Sequence, residues 1–201
     1  MDTVSIPVQV LSHPRARAAG MTLGLLAGFT AAVGLRVAIG GAGVATSAPA
    51  GLAFAATLAV LTAVAGTTTR PSWPAVGTGL AGAGVLCVPV LLTRLTADQA
   101  HRPGGSFLTW AVVVAVVATG EEAFLRGALF DAVDSWHGPM PAIIITSLCF
   151  AALHVPLYGW HVVPLDAAAG LWLGALRRGS GSWTAPAITH TVADLATWWL
   201  R

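Results

Sequence analysis

Seven apolar stretches divide this chain of 201 residues, each near the length of a bilayer crossing. A membrane helix needs about 20 predominantly apolar residues. The stretches are 20–44, 49–66, 73–92, 107–130, 140–158, 161–176 and 184–200. Between them stand short runs of breakers, "GGAGVATSAP", "TTTRPSWP", "TADQAHRPGG", "DSWHGPMP" and "RRGSGS". The connections are short. The sequence therefore predicts an all-α fold, a polytopic transmembrane helical bundle of about seven spans, with no soluble domain and no low-complexity tail.

Composition agrees. Hydrophobic residues make up 56% of the chain and charged residues 9%. Soluble domains carry about 25% charged residues, so most of this chain does not face water. A formal net charge of +2 argues against a nucleic-acid partner. All ten basic residues are arginine. With the abundant Ala, Gly and Pro, that points to a GC-rich bacterial genome and a bacterial inner-membrane protein. Cys87 and Cys149 sit in apolar runs and are expected to be buried thiols, not a disulfide.

Tryptophans and arginines suggest how the bundle sits. Seven of the eight tryptophans, all but Trp172, fall near span ends or in loops, as an interfacial belt would place them. With the N-terminus inside, Arg15, Arg17, Arg70, Arg177 and Arg178 face the cytoplasm, while Arg94, Arg102 and Arg201 face out. Five against three favours that orientation. Arg36, late in the first span, is expected to snorkel to the outer interface. The first apolar run is longer than the 7–15 residues of a signal peptide, so it is read as a retained span.

Against this background the stretch "TGEEAFLRGALF" (residues 119–130) is out of place. It continues "FLTWAVVVAVVA", and it puts Glu121 roughly 21 Å into its span at 1.5 Å per residue. Glu122 and Arg126 are spaced i,i+4 and can pair on one helix face. Glu121 is rotated by about 100° from Glu122 and has no partner in sequence reach. That asymmetry lets the two carboxylates differ in proton affinity, and the one without a cation suits a general base. An ion pair that merely pins helices is the plainer reading of Glu122 and Arg126. "CFAALHVPLYG" sets His154 four residues after Phe150. "ITHTVADLATWW" sets His190 and Asp194 on one face at i,i+4. A lone intramembrane histidine is often a packing residue. Three spans carrying Glu, His and His/Asp are better explained by a shared site, able to activate a water or hold a metal. Gly170 and Gly174 in "GLWLG" form a small-xxx-small pair, read as helix packing.

These motifs in order, "EEAFLR", "FAALH", "GLWLG" and "THTVAD", resemble the CPBP family of CAAX proteases and bacteriocin-processing enzymes, intramembrane proteases related to the eukaryotic Rce1-type prenyl-protein endopeptidase. The resemblance covers Glu121 to Asp194; the first three spans show no family-specific pattern. With the arginine count and the apolar runs, it divides the chain into a cytoplasmic N-terminal segment (1–19), N-terminal transmembrane helices (20–106) and a catalytic core (107–201). It further implies that Glu121 and His154 activate the hydrolytic water. His190 and Asp194 would bind the scissile carbonyl and its oxyanion, and Glu122, Arg126 and Phe150 would support them. Many relatives have Asn where Asp194 stands. An ionised carboxylate cannot donate to an oxyanion, so Asp194 is protonated, acts through His190, or marks an Asp-type subgroup.

Such enzymes are often labelled metalloproteases, and a zinc ion at Glu121, His154 and His190 is one possibility. The chain has no H-E-x-x-H, and a Glu/His-activated water needs no metal. The expected partners are the lipid bilayer and a peptide or membrane-protein substrate. C-a-a-X prenylation is eukaryotic, so a bacterial relative is expected to cut another peptide. Two alternatives remain from the sequence. One is a non-catalytic protein of the same fold, a bacteriocin self-immunity or scaffold protein. The other is a transporter or proton relay, against which no inverted repeat between the halves is visible.

Overall fold

Helix boundaries fall where the sequence places its breakers. The computed structural model describes residues 14–66, 73–96 and 106–200. Their elements are α1 (Pro14–Gly40), α2 (Ala48–Ala65), α3 (Trp73–Thr96), α4 (Phe107–Glu122), a π-helical turn (Ala123–Leu129), α5 (Phe130–His137), α6 (Pro139–Tyr158), α7 (Val163–Ser180) and α8 (Thr184–Leu200). No strand occurs among the described residues, so the fold is all-α. Ser47 caps α2 by accepting from the Ala50 amide, and Ser106 caps α4 by accepting from the Thr109 amide. α6 is bounded by Gly138 and Gly159, whose φ of 83° and 91° any residue with a Cβ would resist.

Four segments are long and apolar enough to cross a membrane: Arg17–Gly43, Ala48–Ala65, Phe107–His137 and Pro139–Tyr158. The seven expected crossings are all helices, but three fall short of that standard alone. In α3 the apolar part is Trp73–Pro89. α7 carries Asp166, Arg177 and Arg178, and α8 has only 17 residues, with His190 and Asp194 among them. The fourth segment runs on past residue 130 to His137, because α4, the π turn and α5 form one continuous helical path. Glu121 thus lies near the middle of a 31-residue segment. Of the arginines used for orientation, Arg70, Arg102 and Arg201 and the side chains of Arg15 and Arg94 lie outside the described residues.

The packing is inverted relative to a soluble protein. Leu23, Val60, Val64, Leu108 and Leu148 are exposed, whereas Arg36, Glu121, Glu122, Arg126, Thr189 and His190 are buried. An apolar exterior around a charged interior is what lipid requires. Beneath it, Phe29, Phe54, Leu58, Phe124, Leu125 and Leu129 join α1, α2 and the π turn in one apolar core. Cys87 and Cys149 are free thiols, partly and not fully buried.

Two close helix contacts rest on glycine. A Cβ on Gly170 would lie 2.9 Å from the Ser147 Cα, and one on Gly174 would lie 2.9 Å from the Ile143 side chain, so α6 and α7 meet along this face. Gly170→Ala therefore presses on backbone, which cannot move aside as a side chain can. We expect it to destabilise the protein by about 1–3 kcal/mol, read as a lower melting temperature in detergent. Gly84→Ala, whose Cβ meets nothing within 4 Å, should melt no lower than wild type. Equal melting of the two variants would contradict this packing.

Candidate active site

The π turn positions the first polar residues. A π segment widens the helix by one residue per turn and is frequent at functional sites. Here Arg177 from α7 steadies it. Its Nε donates to the Arg126 carbonyl at 2.7 Å, its Nη2 donates to Asp131 at 2.7 Å, and its guanidinium lies over the Phe130 ring. Just before the turn, Glu122 Oε1 accepts from two donors. Arg126 Nη1 lies at 2.8 Å and His190 Nδ1 at 3.0 Å. Arg126 also donates to the Gly170 carbonyl at 3.1 Å and lies over the Phe150 ring. One carboxylate thus ties α4, the π turn and α8 together, and its arginine adds α6 and α7.

Phe150 is the hub of the rest. His154 and His190 both stand edge-on to its ring, at centroid distances of 4.8 and 5.2 Å. Their rings are therefore no more than 10.0 Å apart. His154 Nδ1 faces the Phe150 carbonyl at 2.9 Å. A carbonyl only accepts, so Nδ1 carries the hydrogen and Nε2 keeps its lone pair. Asp194 Oδ2 lies 3.4 Å from His190 Nε2. Glu121, on the neighbouring face of α4, is within electrostatic range of His190 and Asp194.

Exposure rises in one direction through the cluster. Glu122 and Arg126 side chains are at 0%, His190 at 7%, His154 at 15%, Asp166 at 20% and Asp194 at 42%. Glu122 and Arg126 are sealed, whereas His154, Asp166 and Asp194 are partly exposed.

Residues 103–196, just under half of the chain, match the model of the Rce1-like family, described as type II CAAX prenyl endopeptidase Rce1-like. Over these residues the chain resembles that family. Its apolar helices and this similarity mark it as a membrane protein, and all the motif residues fall inside the Rce1-like segment. Comparison with curated proteins and with solved structures returned no match.

Two features of the site differ from the expectation. Glu121 is not without a cation: Arg36 Nη1, from α1, lies 3.3 Å from its Oε1. Arg36 does not snorkel. It is 7% exposed and lies over the Phe54 ring, because a carboxylate buried on α4 outweighs the pull of the interface. Arg36 precedes the Rce1-like segment and belongs to none of its motifs. The signal was present all the same: an arginine inside an apolar span calls for a partner. Asp166 was also missed. Its Oδ2 lies 3.6 Å from His154 Nδ1, and only its place in the first turn of α7, four residues before Gly170, hinted at it.

Zinc fits the arrangement poorly. A catalytic zinc takes a lone pair from each of three protein ligands. His190 has a carboxylate at each nitrogen, and Glu121 Oε1 faces Arg36. Among the described residues no three His, Cys, Asp or Glu side chains gather to hold a metal ion. No step below is routed through one.

Glu122 anchors the cluster, and its loss should show in stability. Glu122→Gln leaves the Arg126 charge without its counter-ion inside the bundle, at a cost of about 3–5 kcal/mol. A lower melting temperature is expected, and adding Arg126→Met should recover part of it by removing the orphaned charge. Wild-type melting of Glu122→Gln, or a double variant weaker than the single, would contradict the pairing.

Proposed function

We propose that this protein is an intramembrane endopeptidase that hydrolyses a peptide bond of a membrane-embedded or lipid-anchored peptide through a water activated by Glu121 and His154. One observation carries the reading. Side chains from three separate motifs meet around Phe150, sealed at Glu122 and partly exposed at His154 and Asp194. A packing role needs no exposed end, and a hydrolase needs one for substrate and water.

The chemistry follows from which atoms are uncommitted. Glu121 keeps Oε2, and His154 keeps the Nε2 lone pair. Glu121 takes a proton from water as the water oxygen attacks the scissile carbonyl carbon, while His154 Nε2 accepts the other water hydrogen and fixes the lone pair in line. His190 meets the carbonyl oxygen. Its Nδ1 is committed to Glu122, so the substrate oxygen is met at Nε2, where it displaces the 3.4 Å contact with Asp194. Asp194, beside that nitrogen, acts through His190 and not as an oxyanion donor of its own. The proton held by Glu121 then passes to the amide nitrogen, the C–N bond breaks, and a carboxylic acid and an amine leave. The same reading carries α3, α7 and α8 across the bilayer with the four apolar segments, since α7 and α8 bear Asp166, His190 and Asp194; cysteine labelling at each connection reads that count directly.

Glu121→Gln tests the assignment of the base. The amide keeps the shape and cannot take a proton. General-base contributions of about 10²–10⁴-fold predict near-complete loss of peptide cleavage; because the variant also leaves the buried Arg36 without its counter-ion, Glu121→Gln with Arg36→Met is assayed beside it and should be equally inactive. His154→Ala should behave alike. Full cleavage by Glu121→Gln would remove the catalytic reading and favour a non-catalytic protein of the same fold.

A further inference from the structure

The Rce1-like segment begins at residue 103, yet one of the charges on its site comes from α1. Arg36 is 85 residues from Glu121 in sequence and is buried with it. Its guanidinium is held from two sides, by the Glu121 carboxylate at 3.3 Å and by the Phe54 ring at 5.0 Å. Its Nε is buried without a hydrogen-bond partner. Arg126 Nε is unpartnered in the same way, so the feature that sets Arg36 apart is the carboxylate it holds.

Adjacent carboxylates in this helix are treated differently. Glu122 is locked by Arg126 at 2.8 Å and by His190 at 3.0 Å, on a fully buried oxygen. Glu121 has a single, longer contact, on Oε1 alone. A short two-donor clamp suits a carboxylate that stays charged. One longer contact suits a carboxylate that must take up and release a proton while keeping its orientation. With Oε1 turned toward α1, the second oxygen is the one left for water.

We propose that Arg36 is a positioning residue for the base, holding Glu121 Oε1 so that Oε2 addresses the reacting water, and that α1 is therefore part of the active site although it lies outside the matched segment. This rests on the reading of Glu121 as the base. Misplacing a reacting group by about 1 Å costs on the order of 10²-fold, which sets the scale of the effect.

The full-length protein is purified in lipid nanodiscs and assayed with a lipid-anchored, quenched-fluorescent peptide, with kcat, KM and melting temperature read for each variant. Arg36→Gln should lower kcat by about 10–100-fold and leave KM within about twofold, since no substrate contact is lost. Arg36→Lys should fall between Gln and wild type, because a point charge restores the attraction without the guanidinium's reach. Arg36→Met with Glu121→Gln should melt above Arg36→Met alone, since the orphaned carboxylate is gone. Wild-type kcat in Arg36→Gln, with Glu121→Gln inactive, overturns this inference and leaves the endopeptidase reading standing. A loss confined to KM, or a Lys variant no better than Gln in a protein that melts like wild type, overturns it as well. Cleavage surviving Glu121→Gln, or a wild-type protein that cuts nothing, overturns the endopeptidase reading and the inference with it. Should Arg36→Gln fail to fold, Arg36→Lys decides: wild-type kcat there overturns the proposal.

Discussion

The innermost polar contacts of this bundle converge on one oxygen. Glu122 Oε1 takes hydrogen bonds from Arg126 and His190 and is sealed from solvent. A buried carboxylate with no cation would be untenable in hydrocarbon, and a buried arginine equally so. Each makes the other possible. Together they fix the face that α8 turns inward, and so the position of His190 and Asp194. Arg126 then reaches Gly170 on α7 and lies over Phe150 on α6. The chain's most improbable residues are thus the ones that set its helix contacts.

From this anchor the site grades outward. Glu122 and Arg126 are fixed and closed; His190 bridges; His154, Asp166 and Asp194 are partly exposed. On the proposed reading, stability and chemistry are divided between two neighbouring carboxylates. Glu122 is held by two donors and has no freedom to move. Glu121 has one looser contact, from a helix that the family segment does not include. The division explains why two glutamates stand side by side where a single ion pair would serve to pin the helices.

How much of this was legible depends on sequence distance. Glu122 with Arg126 and His190 with Asp194 are i,i+4 pairs, and helix periodicity alone brings each pair together; both are in contact in the fold. The all-α architecture follows from the apolar runs. What periodicity cannot give is pairing across the bundle. It left Glu121 without a cation, whereas Arg36 supplies one over a separation of 85 residues. It did not show that His190 bonds Glu122. Only four of the seven expected crossings meet the length and hydropathy standard alone, for a related reason. Hydropathy sees apolar length, and α7 and α8 give up some of that length to the charged residues of the site, while the π turn and α5 extend the fourth segment beyond its apolar run.

The central claim is hydrolysis by a water activated beside Glu121, and isotope labelling reads it at the product. Membranes containing the wild-type protein or Glu121→Gln are incubated in ¹⁸O-water, and new peptide C-termini are examined by mass spectrometry. The account predicts C-termini that carry one ¹⁸O with the wild-type protein and are missing with the variant. Identical sets of C-termini in the two samples would contradict it.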